Sequence, residues 1–252
     1  MNKIILSVGS DDNYLNNPHL QNYLKSINEN SNFDENILVY FGYNKPTLEF
    51  EKIKVFSVNP ESMVKKNSNN CLQHGEFLNS KSFNNYLESD IICFTDGDIT
   101  LQRKLTETEF EIFRNLNDND VFVGYNKSPE DTLNDEYFRL DPTEYVPSKY
   151  LNVNLSQIKV YNTGVIAMNI KTWNKVKNSY IDKFDMINRL LRHYAKQQWL
   201  ISYIIGTGDY NIIEMGYELH NHTHYPSPIG TTNENGLIKY DNKIVLFKHR
   251  WF

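Results

Sequence analysis

Two carboxylates, Asp96 and Asp98, flank Gly97 at the end of the apolar run Ile91-Ile92-Cys93-Phe94-Thr95. Carboxylates placed so close repel one another unless a cation lies between them. Hard divalent ions such as Mg²⁺ or Mn²⁺ suit these oxygen donors, binding through one or two carboxylates together with the phosphates of a substrate. The run itself reads as a strand buried on both faces. In open α/β sheets the carboxyl ends of such strands border the crevice where ligands bind. The spacing therefore predicts a metal-dependent site that handles a phosphorylated or diphosphate-linked molecule. A second set of ligating side chains, His220, His222 and His224, alternates along the chain. On a strand they would share one face and could grip a transition metal. As a polar loop leading into Pro226 and Pro228 they would not, and both readings stay open.

The elements that must position these residues alternate between strand and helix through the first half. Ile4 to Val8 reads as a first strand, Ile37 to Phe41 as a second and Ile53 to Val58 as a third. Between them, Asn17-Pro18 looks like a cap followed by a first-turn proline, with Leu20, Tyr23, Leu24 and Ile27 on one helical face. Phe83, Tyr86 and Leu87 suggest a helix leading into the Asp-Gly-Asp strand. Thr106-Glu107-Thr108-Glu109 fits a capping box, and Val121 to Gly124 a further strand. Such alternation predicts an α/β fold with a mostly parallel central sheet. From Asn126 to about Gln157 the chain is polar and rich in tyrosine, and this long excursion reads as a substrate-side lid. Val160 to Met168 resumes strand character, interrupted at Asn162-Thr163-Gly164. A helical region from about Ile181 to Ile205 carries Gln198 on its apolar stripe, where a buried amide needs partners or a polar cavity. Trp173 and Trp199, in helical contexts, read as packing residues. Ile212-Ile213 and Ile244 to Phe247 read as closing strands.

Composition narrows the classes. The 252 residues carry a net charge of −5, which speaks against a nucleic-acid partner, since that would want a basic face. Cys71 and Cys93 are the only cysteines, and Cys93 sits inside the apolar strand. No disulfide framework is expected, and a reducing, cytoplasmic compartment is. No stretch approaches the roughly 18 apolar residues of a membrane span. The basic-aromatic end Lys248-His249-Arg250-Trp251 leaves a peripheral membrane contact open beside its simpler reading as a strand terminus.

The segment from Lys81 to Ile99 resembles the helix–strand–DxD region of glycosyltransferases with the GT-A fold. Tyr161-Asn162-Thr163-Gly164-Val165-Ile166-Ala167-Met168-Asn169 is similar to that family's Asn-x-Gly-apolar strand, which contacts sugar. Ala195-Lys196-Gln197-Gln198-Trp199-Leu200 is similar to its helix start that often carries an acidic pair or Asp-Gln. Ile244 to His249 is similar to its closing strand, which supplies a third metal ligand. These segments occur in the family's order and span nearly the whole chain. The resemblance implies a Rossmann-like sheet in one domain, 1–252, with a nucleotide-sugar-binding half (1–125) and an acceptor-binding half (126–252). It implies a nucleotide-diphosphate sugar donor, UDP-linked by preference, and a glycan or sugar acceptor. Mn²⁺ or Mg²⁺ would be held by Asp96, Asp98 and His249. Val8, Gly9, Ser10, Tyr14, Lys81, Thr95 and Gly97 would contact the donor, with Tyr14 stacking on the base. Asn162, Thr163 and Gly164 would face the sugar and acceptor, and Gln197 and Gln198 the reaction centre.

One departure bears on mechanism. Gln197-Gln198 stands where many inverting members place an acidic base. Without a carboxylate there, the acceptor hydroxyl needs another base, so the reading leans toward a retaining reaction or a base within Glu130–Glu144. Two alternatives use the same residues. Asp96-Gly97-Asp98-Ile99-Thr100 also fits the Asp-x-Asp-x-Thr signature of haloacid-dehalogenase-like phosphatases, with Asp96 as nucleophile and Asp98 as general acid/base. That motif normally ends the first strand of its core, whereas three strand candidates precede it here. The other alternative is a non-catalytic protein that binds a nucleotide sugar or glycan.

Overall fold

The computed structural model describes residues 2–43, 46, 48–58, 83–126, 130–135, 152–190, 196–222 and 228–249. Its centre is a seven-stranded sheet in the order β3-β2-β1-β4-β7-β6-β8. The strands are β1 (Ile4–Ser10), β2 (Glu35–Tyr40), β3 (Lys54–Ser57), β4 (Ile91–Thr95), β6 (Asp120–Tyr125), β7 (Tyr161–Asn169) and β8 (Asn211–Glu214). Only β7 runs against its neighbours: it is antiparallel to β4 and β6, and every other pairing in the sheet is parallel. Successive side chains leave a strand on opposite faces. Ile4, Leu6 and Val8 accordingly pack on one side with Leu38, and Ile5, Ile37 and Val39 on the other. Burial of both faces is what the unbroken apolar runs encode.

Four helices flank this sheet among the described residues: α1 (Pro18–Asn30), α2 (Glu107–Arg114), α3 (Ile170–Leu190) and α4 (Lys196–Thr207). Asn17 caps α1 by accepting from the His19 N–H, with Pro18 in the first turn. The capping box of α2 is complete: Thr106 Oγ1 accepts from Glu109 N, and the Glu109 carboxylate accepts from Thr106 N. Arg103 pairs with the same carboxylate and donates to the carbonyl of Ile244, tying the cap to the last strands. Trp173 and Trp199 are buried, the latter stacked on Tyr203 at 5.5 Å between ring centroids.

Two small three-stranded sheets complete the architecture. One is β10 (Thr231–Glu234), β11 (Leu237–Tyr240) and β12 (Lys243–Ile244). The other joins β5 (Ile99–Leu101), β13 (Phe247–His249) and β9 (His220–His222), with β13 in the middle.

Several expectations need correction. Phe83 to Leu87 forms turns rather than an α-helix: the Asp90 carboxylate accepts from Leu87 N and Lys3 N at 2.9 and 2.8 Å, a local arrangement that competes with helical bonding. The strand β7 continues as one strand through Asn162-Thr163-Gly164 along β4, but its ladder to β6 is interrupted there: Val123 pairs with Ile166 and the next residue, Gly124, with Asn162, so residues 163–165 bulge out of that pairing. The helical region after it begins at Ile170, directly behind β7, and is described as two helices. The last strand is Phe247–His249, with Ile244 ending β12 instead. The excursion read as a lid falls largely outside the described residues.

At the end of the sheet away from the aspartates, the Glu35 carboxylate accepts from Lys3 Nζ, Lys54 Nζ and Tyr86 OH at 2.8, 2.7 and 2.7 Å. Burial alone would raise its pKa, but these three donors outweigh burial and hold it at about 2, against an ordinary 4.5. A depressed carboxylate stabilises the fold above its unfolded pKa and loses that contribution as pH falls toward the folded value. A shift of this size corresponds to roughly 3 kcal/mol if fully realised. Both lysines are more than half exposed, so solvent screening reduces the expected contribution to about 1–2 kcal/mol. Glu35→Gln should therefore lower urea stability by that amount at pH 7, with the gap closing below pH 4.5. A gap unchanged at pH 3 would contradict this.

Candidate functional site

The site is assembled where β4 leaves the sheet. Asp96 N donates to Gly164 O at 2.9 Å, which extends the β4–β7 pairing one residue past Thr95 and fixes the exit point of the chain. The chain then turns over Asp96-Gly97-Asp98 and returns as β5. There Ile99 pairs with His249 in the β5–β13 ladder, so backbone register sets residue 249 beside residue 98. His249 Nε2 lies 3.2 Å from Asp98 Oδ1 and 3.7 Å from Asp96 Oδ2. The imidazole is buried and the two carboxylates are partly exposed, so the nitrogen forms the floor of the site and the oxygens its rim.

One ligand atom from each of Asp96, Asp98 and His249 lies within 4.8 Å of the others. No other such group of His, Cys, Asp or Glu occurs among the described residues. His249 Nε2 is buried and makes no hydrogen bond, because the short approach to Asp98 lacks hydrogen-bond geometry. A buried ring nitrogen left this way between two carboxylates fits a cation as its partner. Two hard oxygen donors and one imidazole form a set suited to Mn²⁺, and to Mg²⁺ through the carboxylates.

The Asn-Thr-Gly segment backs this arrangement. Asn162 Oδ1 accepts from Gly164 N at 2.9 Å. Gly164 lies against the His249 ring: a Cβ there would stand 2.3 Å from Cε1 and 2.7 Å from Nδ1. Asn162 and Thr163 are themselves buried, so this segment sets the position of His249 and Asp96 from behind. Gly97 has a similar reason to be glycine, since a Cβ there would come within 2.5 Å of Tyr14 Cε1. The Tyr14 ring thus covers the turn between the aspartates, held there by Tyr14 N donating to Asp11 Oδ1 at 2.8 Å.

The other sequence-derived residues are placed as follows. Val8, Gly9 and Ser10 end β1 and are buried. Thr95 is buried, its hydroxyl donating to Ser7 O and accepting from Tyr23 OH at 2.8 and 2.7 Å. Asp12, in the loop that follows β1, accepts from Tyr40 OH and, at 2.9 Å, from Tyr43 N. Burial, and then this aspartate, push the Tyr40 phenol up to about 12, so it stays a donor. Gln197 is buried, and Gln198, expected on the buried stripe, is only half-buried. The helix α4 ends near the start of β6, where Asn211 N donates to Asn119 O at 2.9 Å. Midway along the helix, Ser202 Oγ accepts from Tyr161 N at 3.0 Å, at the end of β7 that lies toward the aspartates. Lys81 and His224 lie outside the described residues.

Of the alternating histidines, His220 and His222 are on β9, buried beside His249. His220 Nε2 is 3.2 Å from His249 Nδ1, and His222 Nε2 is 3.2 Å from Tyr125 O. Burial, then the neighbouring His249 and His222, hold the pKa of His220 well below the usual value, against the opposing pull of Asp98. His220 is therefore neutral at pH 7.

No protein-family model matches the sequence, and no curated protein matches it either. The fold is similar to solved structures. One is galactosyltransferase LgtC in complex with donor and acceptor sugar analogues, at a TM-score of 0.58 and 14% identity over 98% of this chain and 86% of that one. Another is an active-site glutamine-to-glutamate mutant of LgtC, at 0.59 and 13% over the same shares. At such identity the likeness establishes the fold, a GT-A type α/β arrangement with a large, mostly parallel central sheet flanked by helices.

Proposed function

We propose that this chain is a metal-dependent glycosyltransferase that moves a sugar from a nucleotide-diphosphate donor, UDP-linked by preference, to a hydroxyl of a sugar or glycan. The observation that carries the reading is the convergence of Asp96, Asp98 and His249 at the mouth of a fold shared with a galactosyltransferase over 98% of the chain. These three residues would hold Mn²⁺ or Mg²⁺. Such an ion, when bound, neutralises the diphosphate leaving group and orients it.

The chain's own groups do the rest. The buried end of β1, Val8 to Ser10, presents backbone to the nucleotide, and Tyr14 closes over the aspartate turn beside it. The 1–125 half would bind the donor and the 126–252 half the acceptor. Asn162 and Gly164 hold the sugar side in register with the carboxylates through Asp96 N. Gln197, buried in the first turn of α4, would orient a donor or acceptor hydroxyl. An amide cannot take up the acceptor's proton, and this favours a retaining course over an inverting one with a side-chain base at that position. That a glutamine stands in the active site of a structural neighbour supports giving this one a role.

The test is nucleoside diphosphate release from a panel of nucleotide sugars. We expect turnover of a UDP-hexose that requires Mn²⁺ or Mg²⁺ and stops on chelation. Silence with every nucleotide sugar, combined with phosphate release from simple monoesters, would overturn the proposal in favour of an Asp96 nucleophile.

A further inference from the structure

We propose that His220 is a positioning residue for the site: it fixes His249 in the one tautomer able to offer Nε2 to a cation. The inference rests on the metal role given to His249 above. His249 has two ring nitrogens. Nε2 faces Asp96 and Asp98, and Nδ1 faces His220 Nε2 at 3.2 Å. A neutral imidazole can offer a lone pair from Nε2 only when its proton is on Nδ1. That proton needs an acceptor, because His249 is buried. His220 Nε2 lies within hydrogen-bonding distance of it.

The surroundings leave this pair little choice. The His220 and His249 rings lie nearly parallel, 19° apart with centroids at 5.4 Å, and Gly164 closes against the His249 ring. His220 accepts through Nε2 when its own ring proton sits on Nδ1. His220 Nδ1 is buried with no hydrogen-bond partner among the described residues. With its proton there, that N–H stays unpaired, a burial cost that cation binding at His249 Nε2 would offset. In the opposite arrangement His249 would carry its proton on Nε2, and the geometry gives that nitrogen no hydrogen bond to either aspartate. Metal-bound histidines are commonly oriented by an acceptor at the other ring nitrogen.

The test uses three variants of the full chain with Mn²⁺ alone as the probe. His220→Leu and His220→Phe fill the space without an acceptor, whereas His220→Gln keeps an oxygen close to the position of Nε2. Mn²⁺ affinity is read by titration calorimetry, and the His249 tautomer by ¹⁵N shifts of the metal-free protein. We expect Leu and Phe to weaken Mn²⁺ binding about 10–100-fold. They should also lose the Nδ1–H tautomer of His249 while melting no lower than the unaltered chain without metal. Gln should restore affinity to within about threefold, an outcome that loss of packing would not give. If His220→Leu fails to fold, His220→Phe and the tautomer signal in the unaltered chain decide the matter. Unchanged affinity in the folded apolar variants, or an Nε2–H tautomer in the metal-free unaltered chain, overturns this inference alone. Absence of saturable Mn²⁺ binding by the unaltered chain overturns it together with the metal site.

Discussion

Asp98→Asn is expected to abolish metal-dependent donor binding while leaving the fold intact. The Asp98 carboxylate lies 3.2 Å from His249 Nε2 and is partly exposed, so an isosteric amide disturbs no packing. What it removes is one of the two negative charges that would draw a divalent ion to the turn, along with a hard oxygen donor. Without metal, the variant should melt at or slightly above the unaltered chain, because the repulsion between residues 96 and 98 is relieved. With Mn²⁺ and donor, the expected fall in turnover is on the order of 10²–10³-fold, the scale on which a preorganised charge acts on a leaving group. Normal turnover by this variant at ordinary Mn²⁺ concentrations would remove Asp98 from the site.

Gly164→Ala should be the most damaging single methyl group in the site. The added carbon would stand 2.3 Å from His249 Cε1 and 2.8 Å from Asn162 Oδ1. Neither neighbour can retreat easily, since both are buried, and Asn162 is itself bonded to Gly164 N. Overpacking of this kind costs about 1–3 kcal/mol. For a domain of this size that amounts to a fall in Tm of roughly 3–10 °C. The more telling effect is on binding. Displacing the His249 ring by a fraction of an ångström takes Nε2 away from the carboxylates, so Mn²⁺ affinity should fall together with stability. Valine at the same position should be worse than alanine on both counts. Affinity that survives Gly164→Ala unchanged would mean that His249 is not a ligand.

The parts of this molecule legible in its sequence are those set by local chemistry. The capping box at Thr106 and Glu109 needs only four consecutive residues, and it formed. The both-faces-buried character of Ile91 to Thr95 follows from an unbroken apolar run. The break expected at Asn162-Thr163-Gly164 arose because small polar residues favour turns. The structure keeps both features: β7 continues along β4, while its ladder to β6 breaks at these residues, where Asn162 Oδ1 accepts from Gly164 N and the glycine makes room for an imidazole 85 positions away. The helix expected at Phe83 to Leu87 failed for the opposite reason, because the Asp90 side chain offered the backbone a competing partner. The site itself was half legible. Asp96 and Asp98 are close in sequence, but the placement of His249 depends on the register of β13 against β5. The pairing of β9 with β13 that sets His220 behind it is likewise long-range, and no local pattern announces it. The alternation His-x-His was the available signal, and it marked a strand lying behind the ligand set.

The most direct test of the central claim is thermal stability against UDP, GDP, CMP and simple phosphomonoesters, each with and without Mn²⁺. A ligand that binds only the folded chain raises its melting temperature in proportion to the logarithm of its excess over Kd. The account predicts a rise that requires Mn²⁺ and one nucleoside diphosphate together, UDP before GDP, and that vanishes in Asp98→Asn. A diphosphate response that is indifferent to Mn²⁺ and survives in Asp98→Asn, or no diphosphate response at all, would contradict it.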